Sequence, residues 1–335
     1  MFKAYAAHQA KGPLEPFEYD PGALGPDEVE IDVSTCGVCH SDLSIVNNEW
    51  QVSSYPVVPG HEVVGTIARV GGHVHHLKPG ETVGLGWFSA SCMTCEHCMS
   101  GDHNLCGQAE QTIIGRFGGF ADKVRCKAQW AIPLPAGLDA VKAGPLFCGG
   151  ITVFNPIVQF GVRPTDRVGV VGIGGLGHLA LQFLNKWGCE VTAFTSSDAK
   201  REEAHRLGAH HVVDGRDPAH LKSASGSLDF ILSTVNVDLD WGAMLEALAP
   251  RGRLHTVGVI PSPIAVPAFS LILGQRQVSG SPMGSPATLG KMLEFCTRHG
   301  IAPVTEVLPM SRVNDALGQL EAGRAHYRIV LENDF

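Results

Sequence analysis

Val168 to Ala180 reads V-G-V-V-G-I-G-G-L-G-H-L-A. A short run of β-branched residues, Val168–Val171, meets a glycine-rich turn. An apolar helical pattern follows from Leu176 to Trp187, and then a second apolar run, Glu190–Phe194. Strand, G-x-G-x-x-G, helix and strand in that order are the context a dinucleotide-binding βαβ unit requires. Gly172 permits the tight turn. Gly174 lets the backbone approach a pyrophosphate at the helix N-terminus, where free N–H groups and the dipole favour anions, and Gly177 lets the helix pack close to the strand. Gly172, Gly174, Gly175, Leu176 and Gly177 are therefore the candidate cofactor residues of this turn. The alternative is a glycine-rich packing turn with no ligand, which the flanking strand and helix disfavour.

Working outward, the same rhythm holds from about 151 to 285. Asp229–Ser233 and Arg253–Val257 are further short apolar runs, separated by segments of helical length such as Ala199–Leu207. Such alternation predicts a parallel sheet covered by helices. Residues 1 to about 148 read as β-rich. Val29, Ile31 and Val33 alternate with Glu28, Glu30 and Asp32 as in a half-buried strand, and Val63–Val70, Thr82–Leu85 and Phe120–Cys126 are short apolar runs bounded by Gly and Pro turns. Beyond about 286, Thr288–Arg298 and Val313–Glu321 read as helices and Arg328–Leu331 as a last strand. The expected fold class is α/β in two domains, one of residues 1–148 and 287–335, the other a doubly wound, Rossmann-type domain of residues 149–286.

The end of the second strand bears on which dinucleotide is bound. NAD-selective sites place Asp or Glu there, about 20 residues on, against the ribose hydroxyls. Here the strand runs into Thr195, Ser196, Ser197, Asp198, Ala199, Lys200 and Arg201. Hydroxyls and cations suit a 2′-phosphate, so Ser196, Ser197 and Lys200 point to NADP(H). Ser197 also reads as a helix N-cap, and both can hold at once.

Cys92, Cys95, Cys98 and Cys106 stand as C-x2-C-x2-C-x7-C within fifteen residues. Four thiolates this close can complete a tetrahedral zinc site from one loop, and the segment 89–107 has few large apolar residues to hold it otherwise. Disulfides pair badly at this spacing, and a bacterial ferredoxin run would end C-x3-C-P. A closed site carries no chemistry, so the function lies elsewhere in the chain.

Composition bounds that function. A chain of 335 residues suits two domains of ordinary size, and 44% hydrophobic content supports large cores. A net charge of -8 argues against nucleic acid and anionic membranes, both of which need basic patches. The N-terminus has no apolar core of signal-peptide length, and the apolar stretch 168–184 is broken by five glycines, which makes it a poor membrane span. A cytoplasmic protein is expected.

The runs C-G-V-C-H-S-D-L, P-V-V-P-G-H-E-V-V-G, the four-cysteine loop, L-F-C-G-G-I-T-V-F, V-G-I-G-G-L-G-H-L-A and the Ser-Ser-x-x-Lys after the second strand occur in this order. Together they resemble the zinc-dependent medium-chain alcohol dehydrogenases along essentially the full chain. Within them the chain looks like the cinnamyl-alcohol-dehydrogenase branch with its bacterial NADPH aldehyde reductases. The resemblance implies a GroES-like β-rich domain beside the Rossmann domain, with the active site in the cleft between them. It implies two zincs per chain, the first catalytic on Cys39, His61 and Cys148 and the second structural on the four-cysteine loop. Glu62 matches the family's near-metal acid, Asp42 the carboxylate orienting the zinc histidine, and Ser41 the hydroxyl contacting the reacting oxygen. His40 and Arg328 match residues near the cofactor phosphates. Trp50, Trp87 and Phe88 would line an apolar substrate cleft, or serve as core aromatics. One position departs from the pattern: where relatives carry a proton-relay His, this chain has Ser44, which cannot act as a base near neutral pH.

The activity so implied is reversible reduction of aldehydes to primary alcohols with NADPH, broad for aliphatic and aromatic aldehydes, by a homodimer acting on small molecules. A polyol or secondary-alcohol dehydrogenase is the enzymatic alternative. The non-enzymatic one is an NADPH-binding, zinc-structured sensor, which would lack the catalytic ligands.

Overall fold

The structure, a computed structural model, describes residues 1–195 and 198–335. Two compact units are present: Met1–Ile151 with Gly284–Phe335, and Thr152–Met283.

The first unit is built on a seven-stranded sheet. Its order is Thr305–Pro309, Arg328–Glu332, Glu28–Val38, Val63–Val70, Thr82–Leu85 and Ile132–Pro133, with Lys123–Lys127 also pairing Glu28–Val38. Only the first two run parallel. The eleven-residue strand Glu28–Val38 is the spine. Val29, Ile31 and Val33 are buried as the alternation predicts, but Glu30 is not on a wet face. It is buried beneath Arg125 of the paired strand, whose Nε and Nη2 lie 2.9 and 2.7 Å from Glu30 Oε2. Alternation assigns one face to water; a cross-strand arginine can cover a carboxylate on that face and bury both. The run expected at Phe120–Cys126 forms strand pairing with the spine only from Lys123, because Phe120 and Ala121 bond instead to residues 4–5 near the N-terminus.

The second unit is a six-stranded sheet with every pairing parallel. Its strands stand in the order His211–Asp214, Glu190–Thr195, Arg167–Val171, Leu228–Ser233, Leu248–Thr256 and Gln277–Gly280. The order in which successive strands are laid down reverses between Arg167–Val171 and Leu228–Ser233, and such a switch point is where doubly wound folds open a crevice for dinucleotides. Val171, Phe194, Ile231, Leu254, Trp241 and Leu245 form a continuous core on one face. The helix Gly177–Trp187 follows the glycine turn and stops at Gly188, which takes the left-handed conformation. The segment expected as one helix, 199–207, is a 3-10 turn Asp198–Lys200 leading into a short helix Arg201–Arg206. Among the described residues no helix is long and apolar enough to cross a membrane.

Candidate metal centre and dinucleotide turn

The spine strand ends at Val38, and Cys39 is the N-cap of the helix His40–Asn47. Asp42, at the third helical position, reaches back to accept the Cys39 backbone N–H (2.9 Å) through Oδ2. Its Oδ1 accepts from the Gly60 N–H and faces His61 Nδ1, each at 2.8 Å. Asp42 and His61 are both fully buried. With Nδ1 donating to Asp42, the imidazole presents Nε2 as a lone pair, and that buried atom has no hydrogen-bond partner. Burial opposes protonation of His61, but the Asp42 carboxylate outweighs it and raises the ring well above its ordinary range, so Nε2 is a strongly basic position that takes either a proton or a metal in its place.

Cys148 Sγ lies 3.8 Å from Cys39 Sγ. Ligand atoms of Cys39, His61, Glu62 and Cys148 all stand within 4.8 Å of one another. Two sulfurs and one imidazole are soft and borderline donors of the kind zinc takes, and the orphaned Nε2 fits a metal better than any protein partner present. The Cys148 thiol donates toward Cys39 and holds it well below the ordinary thiol range; Cys148 is correspondingly raised. Ser41 Oγ is 3.8 Å from Cys39 Sγ.

Beneath this group, Glu62 is fully buried and paired with the Arg328 guanidinium, which also donates to the Val38 carbonyl at 3.2 Å. Burial raises the Glu62 carboxyl, and Arg328 works against that rise. The close packing requires Gly37, since a Cβ there would stand 2.0 Å from Glu62 Oε2. Arg328 is thus placed under the group of Cys39, His61 and Cys148, inside the first unit.

Trp87 stands edge-on to His61, with ring centroids 5.0 Å apart, and Trp50 packs edge-on to Trp87 at 5.9 Å. Phe88 is separated from them. It is buried against Trp130 at 5.5 Å, on the short strand Phe88–Ala90 that begins just after the bend at Trp87. Ser44 is buried, and its Oγ donates to Glu49 Oε2 at 2.7 Å. That hydroxyl lowers the Glu49 carboxyl. Glu49 is exposed. Nothing in the local pattern singled out Glu49; the contact arises because the chain turns back after the helix, with the Glu49 N–H bonded to the Ser44 carbonyl. His40 is exposed at the start of the same helix.

Sulfurs of Cys92, Cys95, Cys98 and Cys106 form the other four-ligand group, again within 4.8 Å. Backbone N–H groups of Thr94 and Cys95 stabilise the Cys92 thiolate and bring it to about 6, whereas burial pushes Cys98 up to about 11. The Cys95 N–H lies 3.3 Å from Cys92 Sγ, and the Gln108 N–H lies 3.3 Å from Cys106 Sγ. N–H groups donating to sulfur suit thiolates, as a zinc site needs.

In the second unit, Gly172 takes φ +87, and a Cβ at Gly177 would meet the Gly172 carbonyl at 1.8 Å. Both positions of the turn therefore require glycine. Lys200 reaches back to this turn, with Nζ 2.9 Å from the Ile173 carbonyl. Ser196 and Ser197 lie outside the described residues.

Two family models match the chain: the alcohol dehydrogenase GroES-like domain over residues 25–136 and the zinc-binding dehydrogenase over residues 175–298. An aldehyde reductase, AdhA, from Synechocystis sp. is 58% identical, with 99% of each chain covered. A probable cinnamyl alcohol dehydrogenase 8A from rice is 41% identical, covering 98% of this chain and 94% of its own. Among solved structures, cinnamyl alcohol dehydrogenase SbCAD4 from Sorghum bicolor superposes with TM-score 0.95 at 38% identity, covering 99% of this chain and 97% of that one. A cinnamyl alcohol dehydrogenase from Helicobacter pylori complexed with NADP(H) gives 0.90 at 30% identity, with the same coverage. The chain belongs to the zinc-binding, GroES-like alcohol dehydrogenase family, and it is an oxidoreductase acting between aldehydes and alcohols.

Proposed function

We propose that the chain reduces aldehydes to primary alcohols with NADPH, broadly over aliphatic and aromatic aldehydes, and runs the reverse oxidation when alcohol is in excess. The observation that carries this reading is the buried two-sulfur, one-imidazole group whose His61 Nε2 has no protein partner. Zinc held by Cys39, His61 and Cys148 would supply Lewis acidity toward a carbonyl oxygen. NADPH, on the glycine turn with Ser196, Ser197, Lys200 and His40 toward its phosphates, would supply the hydride. A second zinc on Cys92, Cys95, Cys98 and Cys106 would hold its loop folded.

The chain's own residues do the rest. Asp42 fixes the His61 ring and tautomer. Glu62 stays close to the ligand atoms as a reserve donor, its charge balanced by Arg328. Ser41 hands its proton to the alcohol oxygen as it forms. Ser44 lies one turn further along the same helix and donates to surface Glu49, so a water between Ser41 and Ser44 would complete a proton route to solvent, with Glu49 taking up a solvent proton before each inward transfer. The edge-on pair Trp50 and Trp87 offers an apolar wall beside His61 and favours aldehydes over hydrated polyols.

The protein would be a cytoplasmic homodimer. Phe269, Ile272 and Leu273 are exposed on the helix Ala268–Gly274, which precedes the edge strand Gln277–Gly280, and a second copy would cover them.

The test combines metal analysis with initial rates on a panel of aliphatic and aromatic aldehydes, with NADPH and with NADH. Two zincs per chain and an NADPH preference are expected. A single zinc would remove the catalytic-metal reading, and an enzyme faster with NADH would remove the cofactor reading.

A further inference from the structure

A loop that binds pyrophosphate through its N–H groups must aim its carbonyl oxygens elsewhere, because they would repel the anion. Each carbonyl turned away from the ligand then needs a donor of its own. In this chain three consecutive carbonyls of the glycine turn have one. The Thr234 hydroxyl, just past the strand Leu228–Ser233, donates to the Gly172 carbonyl at 2.8 Å and lies 3.0 Å from that of Val171. The Lys200 ammonium donates to the Ile173 carbonyl at 2.9 Å. The Gly174 carbonyl takes the His178 backbone N–H at 3.1 Å and lies 3.1 Å from His178 Nδ1. His178 is fully buried.

The three donors come from different places: the strand across the switch point, the segment after the second strand, and the first helix turn. Packing adds to the constraint. The point where a Gly177 Cβ would sit is 1.8 Å from the Gly172 oxygen and 3.3 Å from Thr234 Oγ1, so hydroxyl, carbonyl and helix start form one stack without slack.

We propose that Thr234, Lys200 and His178 are positioning residues that hold the carbonyl side of the dinucleotide turn, and that Lys200 thereby couples the adenosine 2′-phosphate to the pyrophosphate loop. An ammonium has three donors, so a bond to Ile173 does not preclude one to a phosphate. The Lys200 part rests on the NADPH reading above; the Thr234 part does not.

The test is calorimetric titration of the whole protein with NADPH and with NADH, beside thermal melts, for the parent, Thr234→Val, Thr234→Ser and Lys200→Met. Thr234→Val removes the hydroxyl at nearly constant shape. It should weaken both dinucleotides by the same factor, about tenfold for one lost hydrogen bond, and Thr234→Ser should return both to within about twofold of the parent. Lys200→Met should weaken NADPH by about a hundredfold and also NADH, which has no 2′-phosphate, by about tenfold. Unchanged NADH affinity in Lys200→Met would show a phosphate ligand and nothing more, and would overturn the coupling. A lower melting temperature in Thr234→Val with both affinities intact would reduce its hydroxyl to a fold contact. Lys200 is half-exposed, so its variant keeps the test decisive if Thr234→Val does not fold. A parent that binds NADH more tightly would fail the NADPH reading alone, since the Thr234 comparison still decides the loop.

Discussion

His255 should make the second unit lose stability in mild acid, by an amount its surroundings allow to be worked out. The residue is fully buried on the strand Leu248–Thr256. Its Nδ1 is 2.9 Å from the Ser279 hydroxyl on the edge strand, and its Nε2 is 3.0 Å from the Ser281 hydroxyl. The ring stacks on Phe230 at 5.9 Å and packs against Phe160 at 4.7 Å, with the Arg253 guanidinium over the Phe160 ring. Burial, and then Arg253, lower its pKa from 6.5 to about 4. In the unfolded chain the imidazole returns to its ordinary value. Between pH 6.5 and 4 the unfolded state therefore carries a proton that the native state does not, and stability rises with pH across that window. The contribution is complete above 6.5 and lost as pH falls toward 4. At 1.36 kcal/mol per pKa unit it amounts to about 3 kcal/mol. Urea unfolding of the parent and of His255→Gln at steps from pH 7.5 to 4.5 measures it. Carboxylates and the cysteine and histidine clusters titrate in both proteins and cancel in the difference. His255→Gln should start less stable at pH 7.5, through lost ring packing, and lose less on acidification, so that the two curves converge by about 2.5 kcal/mol at pH 4.5. Curves that stay parallel would refute the argument.

Cys148→Ser or His61→Ala should remove one zinc and lower aldehyde turnover by at least about a thousandfold, the several kcal/mol a Lewis acid supplies; near-normal turnover with one zinc fewer would end the assignment. Cys95→Ala should lose the other zinc and lower the melting temperature by about 5 °C or more, read by calorimetry and metal analysis, and a variant of parental stability with two zincs would exclude Cys95 as a ligand. Arg125→Met should cost about 3 kcal/mol in denaturant melts, because it leaves the buried Glu30 carboxylate with only the more distant Arg69 guanidinium, 3.9 Å away, while Glu30→Met with Arg125→Met should recover most of that loss. Glu49→Gln should lower kcat by about tenfold or more with KM little changed, and Glu49→Asp should recover part of it; unaltered kcat would mean protons enter by another route.

What could be read without tertiary structure was local. The G-x-G-x-x-G turn declares itself because strand, turn and helix are consecutive, and steric demands at Gly172 and Gly177 act within six residues. The four-cysteine loop was legible for the same reason: its ligands span fifteen residues, and spacing alone brings four sulfurs together. For Cys39, His61 and Cys148 spacing says nothing. Cys148 stands 109 residues beyond Cys39, and their sulfurs meet at 3.8 Å only through tertiary folding.

Side-chain direction was a second limit. Trp87 and Phe88 are neighbours in sequence with opposite surroundings, one beside His61 and the other against Trp130. Glu30 read as a wet position because period-two alternation does not register an arginine on the next strand. Ser44 with Glu49, and Thr234 and Lys200 with the glycine turn, are hydrogen bonds among polar residues that occur at many solvent-facing positions. Residue type and local period follow from the chain itself. For Ser44 and Glu49 the turn after the helix decides; for Thr234 and Lys200, which donor meets which acceptor depends on segments distant in sequence coming to within 3 Å, decided by the packing of the sheet.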